Sequence, residues 1–179
     1  MNKRVYALLG IVGPLIAYIS IGASIALSPW FSWEKSALSD LGDTVDSEVA
    51  PIFNLGLLLA GFLIMVYAVT VFKRHAKYTS IFLVMSALSL QLVATFDEVY
   101  GFLHVVVSVM LFLSIGAASL TYAIEKKSYL AGATFMIGLI SWVLFGMKTY
   151  SLGVAVPETI STVMAVSWMI YSAIRIMRA

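Results

Sequence analysis

The sequence predicts an all-α fold: an integral membrane bundle of six helices, with a short amphipathic helix lying at the interface in the first outer loop. Three observations lead there. Of 179 residues, 61% are hydrophobic and only 11% are charged, against about 45–50% and about 25% in a soluble domain. A soluble fold of this size leaves too much surface in water to hide that apolar excess. The apolar residues also fall into six runs, each close to the roughly 20 residues a helix needs to cross a bilayer. Finally, the charged residues lie between the runs and sort by sign.

The runs are 5–27, 51–72, 79–96, 102–123, 130–147 and 157–174. Lys3 and Arg4 precede the first, which is longer than the apolar core of a signal peptide and does not end in an A-x-A-like cleavage site. It therefore reads as a span. The third, fifth and sixth runs are the shortest; at about 1.5 Å per residue they reach about 27 Å, enough for a thin or untilted crossing. Pro157 suits the first turn of the last helix, where an N–H has no partner to lose. Apart from His104 and Glu158, no run contains an ionisable His, Asp, Glu, Lys or Arg. The loops at 73–78 and 124–129 are too short to fold alone, so residues 1–179 read as a single transmembrane domain. There is no internal repeat of the kind that marks inverted-repeat transporters.

Lys3, Arg4, Lys73, Arg74, Lys77, Lys126, Lys127, Arg175 and Arg178 fall on one side of the spans, and only Lys35 and Lys148 on the other. That imbalance makes the basic side cytoplasmic. An even number of spans then puts both termini in the cytoplasm of a multi-pass cell-membrane protein. Of the acidic residues only Glu125 lies inside. The net charge of +2 comes with no basic stripe, which excludes a nucleic-acid partner. The absence of cysteine excludes disulfides, thiolate metal sites and cysteine nucleophiles.

The one sizeable loop, 28–50, lies outside. Ser28-Pro29 reads as a helix start, Trp30, Trp33, Ala37 and Leu41 recur at helical spacing, and Gly42 can end the helix in a left-handed conformation. This is the interfacial helix, with both tryptophans at headgroup level. Ser36, Asp40 and Asp43 share another face, and the plainer reading of that face is simple solvation.

The turn between the third and fourth spans carries Asp97 and Glu98, and His104 follows about one helical turn into the fourth. An ionisable residue within a span is costly, usually faces the bundle interior, and is a functional candidate by default. Gly101, Ser108, Ser119 and Tyr122 share its side of the helix. Asn54 and Gln91 lie at a similar depth, whereas the inner half carries only hydroxyls and the Trp168 indole. His75 falls in a basic loop and reads as solvated. Asp40, Glu98 and His104 supply groups suited to acid–base work, and Ser39, Asn54, Gln91 and Asp97 to ligand binding. Carboxylates with imidazole also suit a hard or borderline divalent metal, but one histidine is thin for zinc, so neither metal nor cofactor is specified. Zinc-protease, nucleophile-elbow and phosphate-loop motifs are absent from the sequence.

Ser36-Ala37-Leu38-Ser39-Asp40-Leu41-Gly42, followed by Ile52-Phe53-Asn54-Leu55-Gly56, resembles the prokaryotic membrane family catalogued as domain of unknown function 998. The acidic turn after the third span and the histidine early in the fourth match that family through Asp97, Glu98 and His104. More distantly, the S-D-L-G element and six-span plan are similar to the Frag/DRAM/Sfk membrane proteins, some of which act in lipid remodelling. The resemblance implies a six-span topology and leans towards membrane lipid as the partner.

The leading expectation is an outward-facing polar site that binds or modifies a lipid headgroup or small molecule. In an enzyme, His104 or Glu98 would transfer the proton and Asp40 would orient it. A transporter or channel would need polar residues through the full depth. A scaffold or sensor would instead depend on Trp30 and Trp33.

Overall fold

The computed structural model describes residues 3–178. It is helical with no strand among the described residues, and six helices are long and apolar enough to cross a membrane. They are α1 (Lys3–Leu27), α2 (Ala50–His75), α3 (Lys77–Thr95), α4 (Phe102–Glu125), α5 (Tyr129–Gly146) and α6 (Ala155–Arg178). Successive helices run in opposite directions, which collects most basic residues at one end of the bundle and most acidic residues at the other. We call these the basic end and the acidic end.

Small residues let α1 and α2 approach closely, the usual device where no hydrophobic force drives helices together in lipid. A Cβ on Gly56 of α2 would sit 2.0 Å from Ser20 Oγ of α1, inside any van der Waals contact. Hydrogen bonds cross three further helix pairs. Trp168 Nε1 of α6 donates to Ser119 Oγ of α4 at 2.9 Å, Trp142 Nε1 of α5 donates to Ser161 Oγ of α6 at 2.9 Å, and Tyr67 and Ser172 hydroxyls pair at 3.0 Å.

Two apolar layers make up the core. Near the basic end, Tyr67, Phe72, Tyr122 and Trp168 form an aromatic group, with Tyr122 and Trp168 stacked at 4.6 Å. One turn of α2 here, Ala68–Phe72, is π-helical, and this wider turn brings both Tyr67 and Phe72 to the interior. His75 corrects the sequence reading: it is half-buried, with Nε2 3.2 Å from Tyr122 Oη and its ring 6.1 Å from that of Phe72. It is not a freely solvated loop residue, because the π turn directs the end of α2 against α4. Nearer the acidic end, Leu41, Phe53, Leu57, Val93, Val107 and Leu111 form the second layer.

The first loop differs from expectation. The helix read from Pro29 onward is not formed; residues 28–38 are a series of turns, and the only helix in the loop is a 3-10 turn, Ser39–Gly42. The cause is tertiary. Trp33 and Ser36 carbonyls accept from Gly153 and Ala155 N–H at 2.8 and 3.1 Å, so these two carbonyls are spent on the start of α6 and its approach, and the bonds within the loop stop at isolated turns. Trp30 and Trp33 remain exposed at this end. Gly42 is not left-handed, since Gly101 is the only glycine with positive φ among the described residues. Gly42 is needed for contact instead: a Cβ there would lie 2.6 Å from Asn54 Oδ1 and 2.8 Å from the Phe53 ring.

Candidate functional site

The Ser39–Gly42 turn is held from several directions. The Ala37 N–H goes to Asp40 Oδ2 at 2.9 Å, a local bond that closes the turn. The Leu38 N–H goes to Glu158 Oε2 at 2.8 Å, from the first turn of α6. Asn54 Nδ2 donates to the Gly42 carbonyl at 2.8 Å, and Ser47 Oγ donates to the Leu41 carbonyl at 2.9 Å. Ser39 Oγ, left facing the bundle, donates to Glu98 Oε1 at 2.6 Å.

The opposing wall is the acidic turn. Asp97 is buried, and its carboxylate takes the Val99 N–H and the Thr44 N–H, each at 3.2 Å. It starts the Glu98–Tyr100 3-10 turn and ties it to the first loop. Gly101, at φ 54°, then reverses the chain into α4 in a conformation that L side chains rarely adopt. The reversal places His104 beneath the turn, 4% exposed. His104 Nδ1 lies 2.8 Å from the Phe96 carbonyl. A carbonyl only accepts, so Nδ1 carries a proton. Nε2 is thereby turned towards Glu98 Oε1 and Ser108 Oγ, both at 3.2 Å, and its bond to the ionised Glu98 is made by the imidazolium form, with both ring nitrogens protonated.

Electrostatics separate the two loop carboxylates. The hydrogen bond from His104, assisted by the one from Ser39, holds Glu98 below its ordinary 4.5 against the opposing effect of burial. Burial pushes Asp40 above its ordinary 3.8, and the neighbouring charges of Glu98 and Asp43 add to the rise. Glu98 is thus kept ionised beside a histidine, in a position to exchange a proton with it, while Asp40 carries its charge at a cost.

Below this cluster lies an apolar cavity of about 130 Å³, partly open and bounded by α1, α2, α3, α4 and α6. Its walls are residues such as Ala17, Leu57, Ala87, Leu111, Ala165 and Met169, and they reach down to Trp168. At the acidic end the lining turns polar, with Ser39, Ser108, Thr162 and Glu158. Tyr18 also lines it. Its Oη is buried and faces Thr162, but it makes no hydrogen bond of good geometry, while Thr162 donates to the Glu158 carbonyl at 2.9 Å.

Ser39, Glu98 and His104 therefore come together from the first loop, the acidic turn and α4, with Asp40 close enough to feel their charges. Of the sequence candidates Ser39 lines the cavity, and Asp40, Asn54, Gln91, Asp97, Glu98 and His104 do not. Asn54 and Asp97 anchor loop backbone, and Gln91 bonds to the Ala87 carbonyl of its own helix at 3.2 Å while packing against Gly61. Glu158 was missed as a site residue. In the sequence it stands one residue after a helix-starting proline and reads as a boundary charge; what marks it is a Leu38 N–H contributed 120 residues away. No group of three or more His, Cys, Asp or Glu residues is arranged to hold a metal ion among the described residues.

No curated protein and no solved structure matches the chain, and the more distant likeness to Frag/DRAM/Sfk proteins finds no support. One family model does match, over residues 11–175, and it takes in all six helices together with the Ser39–Gly42 turn and the Glu98–His104 pair. On that match the chain belongs to the family described as proteins of unknown function, DUF998.

Proposed function

We propose that this protein binds a single-chain membrane amphiphile, with the apolar tail in the intramembrane cavity and the polar head at Ser39 and Glu158, where the Glu98–His104 pair stands behind Ser39. The observation that carries this reading is the cavity itself: about 130 Å³, apolar over most of its walls, with Ser39, Ser108, Thr162 and Glu158 gathered at its acidic end and the Ser86 hydroxyl midway along α3. Engineered apolar cavities of about 150 Å³ stay dry and accept a guest about the size of benzene. A void of this size therefore suits one alkyl segment and not a pair of chains. The polar residues are concentrated at one end of the cavity, which favours an amphiphile taken from the membrane over a solute crossing it.

The acidic end faces outward in this reading and both termini are cytoplasmic, because the basic residues crowd the opposite end. The head is then met from the outer leaflet. Ser39 holds it by its hydroxyl, with Glu98 as the acceptor of the Ser39 proton and His104 as the partner that keeps Glu98 ionised.

A long-chain alkanol carrying a diazirine near its tail tests the cavity. Photolysed with the full-length protein in nanodiscs, it should label wall residues such as Leu111 and Met169. Ala17→Leu and Ala165→Leu, which add bulk to the wall, should each sharply reduce that labelling while lipid-facing Leu113 is labelled as before. Unchanged Met169 labelling in both variants would rule the reading out.

A further inference from the structure

We infer that the head of the guest is a cation, an ammonium-type group whose charge is met by Glu158. This rests on the cavity reading above, because it names the head that accompanies the tail. Glu158 is 8% exposed, lies on the cavity wall and keeps Oε2 2.8 Å from the Leu38 N–H. The titratable groups that face it are Asp40 from the first loop, Glu98 from the acidic turn and His104 from α4. Two of these are further carboxylates, and the imidazole is already paired with Glu98. Lys35 and Lys148, the lysines at this end, are exposed, and neither forms an ion pair among the described residues.

A carboxylate in a low-dielectric wall needs a counter-charge or takes up a proton. An ammonium head supplies the counter-charge. A phosphate or carboxylate head would set a like charge beside three carboxylates and meet no arginine or lysine, so the same wall rejects anions. Tyr18 adds an aromatic ring to the cavity wall near this edge, and ring faces attract ammonium groups. Tail and charge are thus recognised by different parts of one site.

Three probes with the same diazirine-bearing tail and different heads (trimethylammonium, hydroxyl, carboxylate) separate these contributions. With the wild-type protein in nanodiscs, the ammonium probe should label the cavity about tenfold better than the hydroxyl probe at sub-saturating concentration, and the carboxylate probe least. Glu158→Gln should bring the ammonium probe down to the level of the hydroxyl probe, and Glu158→Asp should keep most of its preference. Tetramethylammonium, a head without a tail, should not compete at the concentrations where the alkylated probe labels. Equal labelling by the ammonium and hydroxyl probes or a preference that survives Glu158→Gln would each overturn the inference, whereas competition by tetramethylammonium would keep the cationic head and overturn the part of the tail. The wild-type comparison holds whether or not either variant folds. If none of the three probes labels the cavity while Leu113 is labelled, the tail reading fails and the cationic head falls with it. Labelling by hydroxyl and ammonium alike removes the head alone.

Discussion

His104 donates its Nδ1 proton to the Phe96 carbonyl, and that one bond decides which nitrogen faces Glu98. The consequence is testable through pH. Glu98 has a folded-state pKa below its ordinary 4.5, with the His104 hydrogen bond as the main lowering cause. A lowered carboxylate contributes stability that is fully present above its unfolded value and is lost as pH falls through the folded one. Thermal unfolding of the detergent-solubilised protein should therefore show stability falling as pH drops below about 4.5, and Glu98→Gln should flatten that limb. A Glu98→Gln profile that matches wild type would show that the bond does not hold the carboxylate down. Asp40 has the opposite sign. Its pKa is raised by burial, so its contribution is fully present below 3.8 and is lost as pH rises through the raised value. Near neutral pH the ionised Asp40 therefore works against the fold.

Among the elements, α3 has the clearest dependence on a neighbour. It starts after Ala76, an extended residue with no capping side chain of its own. Glu125, at the end of α4, takes over that role: Oε2 accepts from the Thr79 N–H at 2.9 Å and from Thr79 Oγ1 at 2.7 Å, and Oε1 accepts from the Tyr78 N–H at 3.2 Å. These N–H groups belong to the first turn, where no intrahelical partner exists and negative charge is favoured. Glu125→Ala should cost about 1–2 kcal/mol and lower the unfolding temperature, whereas Ile124→Ala, at an exposed lipid-facing position, should leave it nearly unchanged. Equal behaviour of the two variants would mean the cap contributes nothing. This is also why the charge pattern alone undervalued Glu125: it is the one acidic residue at the basic end, and its worth lies in backbone groups 46 and 47 residues away.

At the scale of the whole molecule, the proposed orientation makes a direct prediction. The chain contains no cysteine, so single cysteines can be introduced without background. Cysteines placed at Glu34 and Asp46 should react with an impermeant maleimide added to intact cells, and those at Lys73 and Lys127 only after permeabilisation. The reverse pattern would invert the orientation and move the Glu98–His104 cluster to the inner leaflet.

The periodicity and hydropathy of the sequence were enough to determine the six helices, because a stretch of about 20 apolar residues has one stable way to satisfy its backbone in lipid. The observed limits, such as α6 beginning at Ala155 where the sequence suggests Pro157, differ by a few residues. Sequence also singled out His104, because an ionisable group within a span is rare enough to stand out, and Asp40 and Glu98 as carboxylates in the loop and turn at the same end. The first loop was not legible in the same way. Its helical spacing is real, but the backbone bonds of Trp33 and Ser36 go to α6, and local pattern carries no record of a partner more than 100 residues away. Only the tertiary structure placed Glu158 on the Leu38 N–H, formed the cavity between five helices, and turned Asn54 and Asp97 from candidate ligands into anchors for loop backbone. Hydropathy is a property of each stretch taken alone and survives in the sequence, whereas a cavity and its counter-charge exist only between stretches and are decided when the helices pack.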